Sequence, residues 1–164
     1  MKFFLHFACL SVLLLASCSD EEAEYLDLTF SIKVVDSQNS LLAQLDDPDI
    51  GLNRDELFVW HEIEEEGDLV EIPFPSRVGS QTGVHESSSG VLRIYLNYSG
   101  PDSQHVTYVD WSPYDRDTIV AEFDKTKSYK TKIWYNGELY WEQHRFDSCP
   151  TLILVKNPET LRGE

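Results

Sequence analysis

The chain has 164 residues, and 29 acidic against 13 basic side chains give it a formal net charge of −16. A charge of this sign is repelled by phosphates, so the composition argues against binding to nucleic acid or to anionic membrane surfaces. The length allows an N-terminal leader followed by one domain with a hydrophobic core.

The N-terminal residues predict an export signal with a lipid anchor. Lys2 precedes an apolar run, Phe3 to Ala16, which has the length of a signal-peptide core and is too short to cross a bilayer as a helix. The run leads into Leu15-Ala16-Ser17-Cys18, which resembles the bacterial lipobox. Residues 1–17 are therefore predicted to be a lipoprotein signal peptide, and Cys18 to carry covalent lipid such as palmitate, with no other cofactor. The alternative is an ordinary secretory signal with a chance cysteine.

Residues 18–24 then form a short acidic tether before a domain that spans residues 25–164. Its Ser19-Asp20-Glu21-Glu22 tract resembles the export signal of Bacteroidota surface lipoproteins. We therefore expect a lipid-anchored outer-membrane protein, exposed at the cell surface rather than in the periplasm. The alternative is a solvated acidic linker, because such runs are common.

Beyond the tether, apolar residues recur at every second position, which is the period of a half-buried strand. Strands are predicted at 26–34, 57–63, 69–74, 91–98, 106–111, 118–123 and 151–155, of which the last is a continuous apolar run. Between them lie turn signals such as Glu66-Gly67-Asp68 and Ser112-Pro113-Tyr114-Asp115. Two longer loops, 46–55 and 75–89, are candidate binding surfaces on account of their length.

The strongest local signal is a hairpin in the stretch Tyr129 to Trp141. Asn136-Gly137 separates two aromatic and β-branched runs, and both residues tolerate the positive φ of a two-residue turn. The predicted register opposes Trp134 to Leu139, Tyr135 to Glu138, Ile133 to Tyr140 and Lys132 to Trp141. Neither face of this hairpin is purely apolar, so the sequence leaves open which one meets the core.

Eight or nine short strands without a long helical period predict an all-β fold. One sheet could not bury so many apolar faces, so an antiparallel β-sandwich is expected. Three stretches, DLTFSIKVVD (27–36), Asp117-Thr118-Ile119 and IWYNGELYW (133–141), resemble small Bacteroidota outer-membrane lipoproteins of unknown function. The resemblance implies a transthyretin-like or immunoglobulin-like sandwich, and it implies no catalytic residues.

An oxygen-rich loop is the only metal candidate. Asp47, Asp49, Asn53 and Asp55 have the alternate spacing of a calcium loop. The glycine and the glutamate that an EF-hand requires at its sixth and twelfth positions are replaced by Leu52 and Phe58. A solvated loop is therefore the preferred interpretation, and calcium binding is the alternative.

The sequence offers no enzyme motif. Cys149 is the one cysteine left after Cys9 is removed and Cys18 is acylated, and it is interpreted as a small buried hydrophobic residue. The predicted function is a non-enzymatic binding or assembly module whose partner is a protein or a glycan. One alternative is a glycan-binding module with an exposed platform of Trp134, Tyr140 and Trp141. The other is a small hydrolase.

Overall fold

The computed structural model describes residues 27–42, 51–53, 55–74, 82–99, 104–124, 129–144 and 147–162. The predicted signal peptide, Cys18 and the tether lie outside these ranges and stay predictions. Within these ranges, no helix has the length and the apolar character needed to cross a membrane.

Strands make up most of the described chain and form two sheets, as the all-β prediction required. The elements are β1 (Thr29–Val35), β2 (Phe58–Glu65), β3 (Asp68–Pro73), β4 (Val84–Glu86), β5 (Leu92–Tyr95), β6 (Gln104–Ser112), β7 (Asp115–Asp124), β8 (Tyr129–Tyr135), β9 (Glu138–Glu142), β10 (Leu152–Val155) and α1 (Pro158–Arg162). A four-stranded sheet has the order β10-β1-β5-β4, and a six-stranded sheet has the order β3-β2-β6-β7-β8-β9.

The core lies between the two sheets. In β1, Phe30, Ile32 and Val34 are buried while the residues between them are half-buried. They join one hydrophobic cluster with buried residues of the six-stranded sheet, such as Ile119 and Ile133. Each such side chain contributes about 1.5–3 kcal/mol when it is fully buried. The alternation seen in the sequence therefore has its physical cause in this shared interior.

One strand pair departs from the predicted antiparallel arrangement. β1 pairs with β5 antiparallel but with β10 parallel, in the register Ile32 to Leu152 and Val35 to Val155. A hairpin connection forces antiparallel pairing, whereas a crossover between sheets does not. β10 follows β9 of the other sheet, so its direction is set by the crossover and not by a local turn.

The predicted hairpin forms, and half of its predicted register is confirmed. Asn136 and Gly137 have φ values of 48° and 83°, and Trp134 opposes Leu139 as expected. Beyond this point Ile133 opposes Trp141, not Tyr140, because a bulge inserts Tyr140 into β9. The prediction that Lys132 opposes Trp141 is wrong for the same reason. The face that carries Ile133 meets the core.

Two short elements were not predicted from the sequence. β4 has three residues and lies inside the Ser- and Gly-rich stretch that was interpreted as a loop. α1 begins after Asn157, whose side-chain oxygen accepts a hydrogen bond from the Glu159 amide at 3.0 Å. Asn followed by Pro is a helix-start signal, but five residues are too few to show a helical period.

A buried lysine joins the two sheets at one end. Lys130 in β8 is 3% exposed, and its ammonium donates to the Thr29 carbonyl at 2.7 Å. The same group pairs with the Asp27 carboxylate at 2.5 Å. Because a buried cation without partners is costly, these contacts fix the beginning of β1 against β8.

A buried aspartate joins the sheets at another point. The Asp117 carboxylate in β7 accepts hydrogen bonds from the Trp111 indole at 2.5 Å, from the Tyr135 hydroxyl and from the Asn136 amide at 2.7 Å. Lys156, which follows β10, places its ammonium 2.7 Å from the same carboxylate. Two of the stretches that carry the family resemblance therefore meet at Asp117, where their role is structural.

Candidate binding surface

The outer face of the six-stranded sheet is the most unusual surface of the described chain. The solvent-facing side of an antiparallel sheet normally carries alternating polar residues. Here the cross-strand pairing instead aligns Val106 with Val120, Val120 with Trp134, and Trp134 with Leu139. These four side chains form an apolar row that crosses strands β6 to β9 on the side turned away from the core.

A second row on the same side is aromatic. Trp60 in β2 opposes Tyr108 in β6, and Phe58 lies two residues before Trp60 on the same face. Phe58 is 43% exposed and Leu139 is 54% exposed. We define the aromatic face as the outward side chains Phe58, Trp60, Val106, Tyr108, Val120, Trp134 and Leu139.

Polar groups hold the aromatic side chains in fixed positions. The Trp60 indole donates to the Asp110 carboxylate at 2.7 Å, and the Tyr108 hydroxyl donates to the Glu62 carboxylate at 2.7 Å. The hydrogen bond to Glu62 and burial raise the pKa of Tyr108 to about 12, so the phenol remains a hydrogen-bond donor at neutral pH. The rings are therefore pre-organised, and a partner that binds them loses little side-chain entropy.

Arg116 completes this network. Its guanidinium pairs with Asp110 at 2.5 Å and with Glu71 at 2.8 Å, and it lies 5.2 Å from the centre of the Tyr108 ring. Likewise, the Lys132 ammonium lies 5.9 Å from the centre of the Trp134 ring. These two cations pair with Asp110, Glu71 and Glu142, so the net charge of the surface depends on how many carboxylates exceed them.

The aromatic face is bordered mainly by acids. The pairing places these carboxylates on the outward side of the sheet: Glu62, Glu64, Glu71, Asp110, Glu122 and Glu142. Arg116 and Lys132 are the cations on the same side within the described strands. The surface therefore combines exposed apolar area with negative potential, which fits a partner that is both apolar and basic.

The structure separates the three residues of the predicted glycan platform. Trp134 lies on the aromatic face, whereas Tyr140 packs edge-on against Phe30 with ring centres 5.6 Å apart. Trp141 opposes the fully buried Ile133 and packs against the core. The bulge brings Tyr140 and Trp141 to the core side together, so the three rings do not share one surface.

The candidate calcium loop is described only in part. Asp47 and Asp49 lie outside the described ranges. Asn53 and Asp55 lie inside them, and the Asn53 side-chain oxygen accepts a hydrogen bond from the Asp55 amide at 3.1 Å. Among the residues with described positions, no three His, Cys, Asp or Glu side chains are grouped so that they could hold a metal ion. Residues 75–81 of the long loop 75–89 also lie outside these ranges, and the remainder of that loop contains β4.

Cys149 and His61 have environments that suit structural roles. Cys149 is half-buried against the core, and burial raises the pKa of its thiol to about 11, which keeps it protonated at neutral pH. His61 is buried on the inner side of β2. Its ring nitrogen lies 3.1 Å from the Tyr95 carbonyl, and burial lowers the pKa of the imidazole.

The residues that define the aromatic face could not be identified as one surface from the sequence. Trp60 and Glu62 lie in the predicted strand 57–63, and Tyr108 lies in the predicted strand 106–111, far along the chain. The sequence signal available was alternation along one strand. Phe58, Trp60 and Glu62 occupy every second position and therefore share a face, while Val59 and His61 lie on the other. Alternation shows which residues share a face, but only the strand pairing brings β2 beside β6.

The chain matched no protein-family model, no curated protein and no solved structure.

Proposed function

We propose that this protein is a lipid-anchored, non-enzymatic binding or assembly module of the outer membrane or cell surface. Residues 1–17 are removed, Cys18 carries the lipid, and a sandwich of the transthyretin-like or immunoglobulin-like kind presents the binding surface. The lipobox-like sequence and the acidic tract supply the argument for anchoring and location. The two-sheet architecture supports the fold assignment.

The aromatic face is the single observation that carries the binding function. It places an apolar row and an aromatic row on the outward side of a sheet, where solvation alone would favour polar residues. Contiguous apolar surface of this kind marks interaction sites in soluble domains. Trp and Tyr are also the residues that contribute most to the centres of protein interfaces.

The partner that this surface fits is a protein with a basic and apolar patch. The carboxylates around the aromatic face outnumber its cations, and the whole chain carries a charge of −16. This field attracts a basic partner over distances comparable with the Debye length, about 8 Å at physiological ionic strength. The apolar row then supplies the area that is buried on contact.

Site-specific photo-crosslinking in cells tests the proposal. A photo-reactive phenylalanine analogue replaces Phe58 or Leu139 on the aromatic face, and His85 serves as the control because it is exposed on the other sheet. We expect a discrete, light-dependent protein adduct from positions 58 and 139 and none from position 85. Glu122→Lys, which reverses one outward charge, should weaken the adduct at least threefold.

Two outcomes would contradict this function. Equal adducts from positions 58 and 85 would show contact without a preferred surface. Absence of protein adducts from both face positions would remove the protein-binding proposal. In that case, quenching of tryptophan fluorescence by a polysaccharide, lost in Trp134→Ala, would assign the same face to a glycan.

A further inference from the structure

The strands at the ends of the two sheets differ in how they are protected. An end strand presents unpaired backbone groups, and soluble proteins protect such edges with charges, prolines, bulges or short length. β3 carries Asp68 and Glu71 and ends in Pro73. β9 is bounded by Glu138 and Glu142 and contains the bulge, and β4 has only three residues.

β10 has no charged residue, no proline and no bulge within the described chain, and its length of four residues is its only protection. Its sequence is Leu-Ile-Leu-Val, and its outward side chains Ile153 and Val155 are 62% and 61% exposed. The Lys156 amide donates to the Val35 carbonyl at 2.8 Å. Backbone groups alternate in direction along a strand, so those of Leu154 also face β1. Those of Ile153 and Val155 therefore point to the free edge.

We propose that β10 pairs antiparallel with β10 of a second copy of this chain. The two four-stranded sheets then become one continuous eight-stranded sheet. The free backbone groups set the register: Ile153 exchanges both hydrogen bonds with Val155 of the second copy, and Leu154 faces its own counterpart. A two-fold axis through Leu154 makes this contact self-complementary and closed.

The absence of acidic side chains in β10 allows a second copy of this acidic chain to pair there. Two chains of net charge −16 repel each other wherever carboxylates meet. Pairing through β3 or β9 would oppose such carboxylates, whereas β10 brings only aliphatic side chains together. The nearby Lys156 ammonium is directed to Asp115 at 2.6 Å and to Asp117, so it does not lie at the edge. β4 contains Glu86, so β10 is the one described edge strand without an acidic side chain.

Cysteine crosslinking in membranes from expressing cells tests the register. Ile153→Cys and Val155→Cys chains with different tags are co-expressed in a Cys149→Ser background, with Cys18 left unchanged. A directly opposed, hydrogen-bonded pair has its Cα atoms about 5.5 Å apart, which is within the range of a disulfide. We expect mild oxidation to give a mixed dimer that carries both tags.

The single variants are the matched controls. In this register, position 153 is a diagonal neighbour of position 153 in the second copy, and position 155 is a diagonal neighbour of position 155. Diagonal cross-strand residues are about 7–8 Å apart. Each variant expressed alone should therefore give at least fivefold less dimer than the mixture. Both side chains are exposed, so neither replacement disturbs the core. No mixed dimer, or equal dimer from either variant alone, would overturn the proposal.

Discussion

At the scale of single residues, Asp117 is the polar group on which most contacts converge. Burial raises the pKa of its carboxyl, but the hydrogen bonds from Asn136, Lys156 and Tyr135 outweigh burial and leave the pKa below its ordinary value of 3.8. Burial, together with the hydrogen bond to Asp117, raises the pKa of Tyr135, so the phenol stays a donor. The carboxylate is thus stabilised in its charged form.

Asp117→Asn should lower the free energy of unfolding by about 3 kcal/mol at pH 7, because Lys156 and the other donors lose a buried charged acceptor. Asp115→Asn is the control, since it removes one contact of Lys156 and leaves Asp117 in place. It should cost about 1 kcal/mol. Urea denaturation of both variants measures the difference, and equal losses would contradict the central role of Asp117.

The pH dependence of this difference has a definite sign. A carboxyl whose pKa is depressed by folding stabilises the protein above its unfolded pKa, and this contribution is lost as the pH falls through the folded value. The gap between the parent protein and Asp117→Asn should therefore be complete at pH 7 and shrink below about pH 3.8. A gap that stays constant down to pH 2 would contradict the assignment.

At the scale of elements, two glycines with positive φ have different surroundings. Gly137 in the β8–β9 turn has φ of 83°, and an added Cβ would meet no atom within 4 Å. Gly83, just before β4, has φ of 74°, and an added Cβ would lie 2.8 Å from Phe74 and from Val59. A side chain at position 137 would be disfavoured only by the backbone conformation. A side chain at position 83 would also clash with Phe74 and Val59.

Gly137→Ala should therefore cost about 1 kcal/mol, which is the penalty of the left-handed region for an L-residue. Gly83→Ala should cost about 3 kcal/mol, because overpacking against two buried side chains adds to that penalty. Thermal or chemical denaturation of the two variants gives the comparison. If Gly137→Ala proved the more damaging change, the packing argument at Gly83 would fail.

Local chemistry explains which elements could be predicted from the sequence. The Asn136-Gly137 turn was predictable because two adjacent residues determine its backbone. The Tyr140 bulge was not, because alternation reads the same with or without an inserted residue. The parallel pairing of β1 with β10 depends on a crossover between sheets. The aromatic face could not be predicted either, because it depends on the strand order that brings Trp60 in β2 beside Tyr108 in β6.

At the scale of the whole molecule, the two outer faces differ in charge. Carboxylates border the aromatic face of the six-stranded sheet. On the four-stranded sheet, the pairing places Ser31 beside Arg93, and Lys33 beside Ile153, on the outward side. The described outward positions of that sheet carry no carboxylate. The chain is therefore electrostatically two-sided despite its overall acidity.

The proposed location is tested on intact cells. Protease added outside should cleave the native protein, because the acidic tract is proposed to direct it to the surface. Cys18→Ala should lose palmitate labelling and should no longer be retained in the outer membrane. Lysed cells control for protease access. Cleavage only after lysis would place the domain in the periplasm, and unchanged labelling of Cys18→Ala would remove the anchor.

The ion pair between Lys130 and Asp27 also affects how the domain responds to a pulling force. A force applied through the residues before Asp27 acts first on the beginning of β1. There the Lys130 ammonium contacts the Asp27 carboxylate and the Thr29 carbonyl. β1 is hydrogen-bonded on both sides, to β5 and to β10. Pulling along β1 loads both ladders in shear, so many hydrogen bonds must yield together. With the proposed lipid anchor before Asp27, this shear geometry would oppose unfolding of the domain when a force pulls on it.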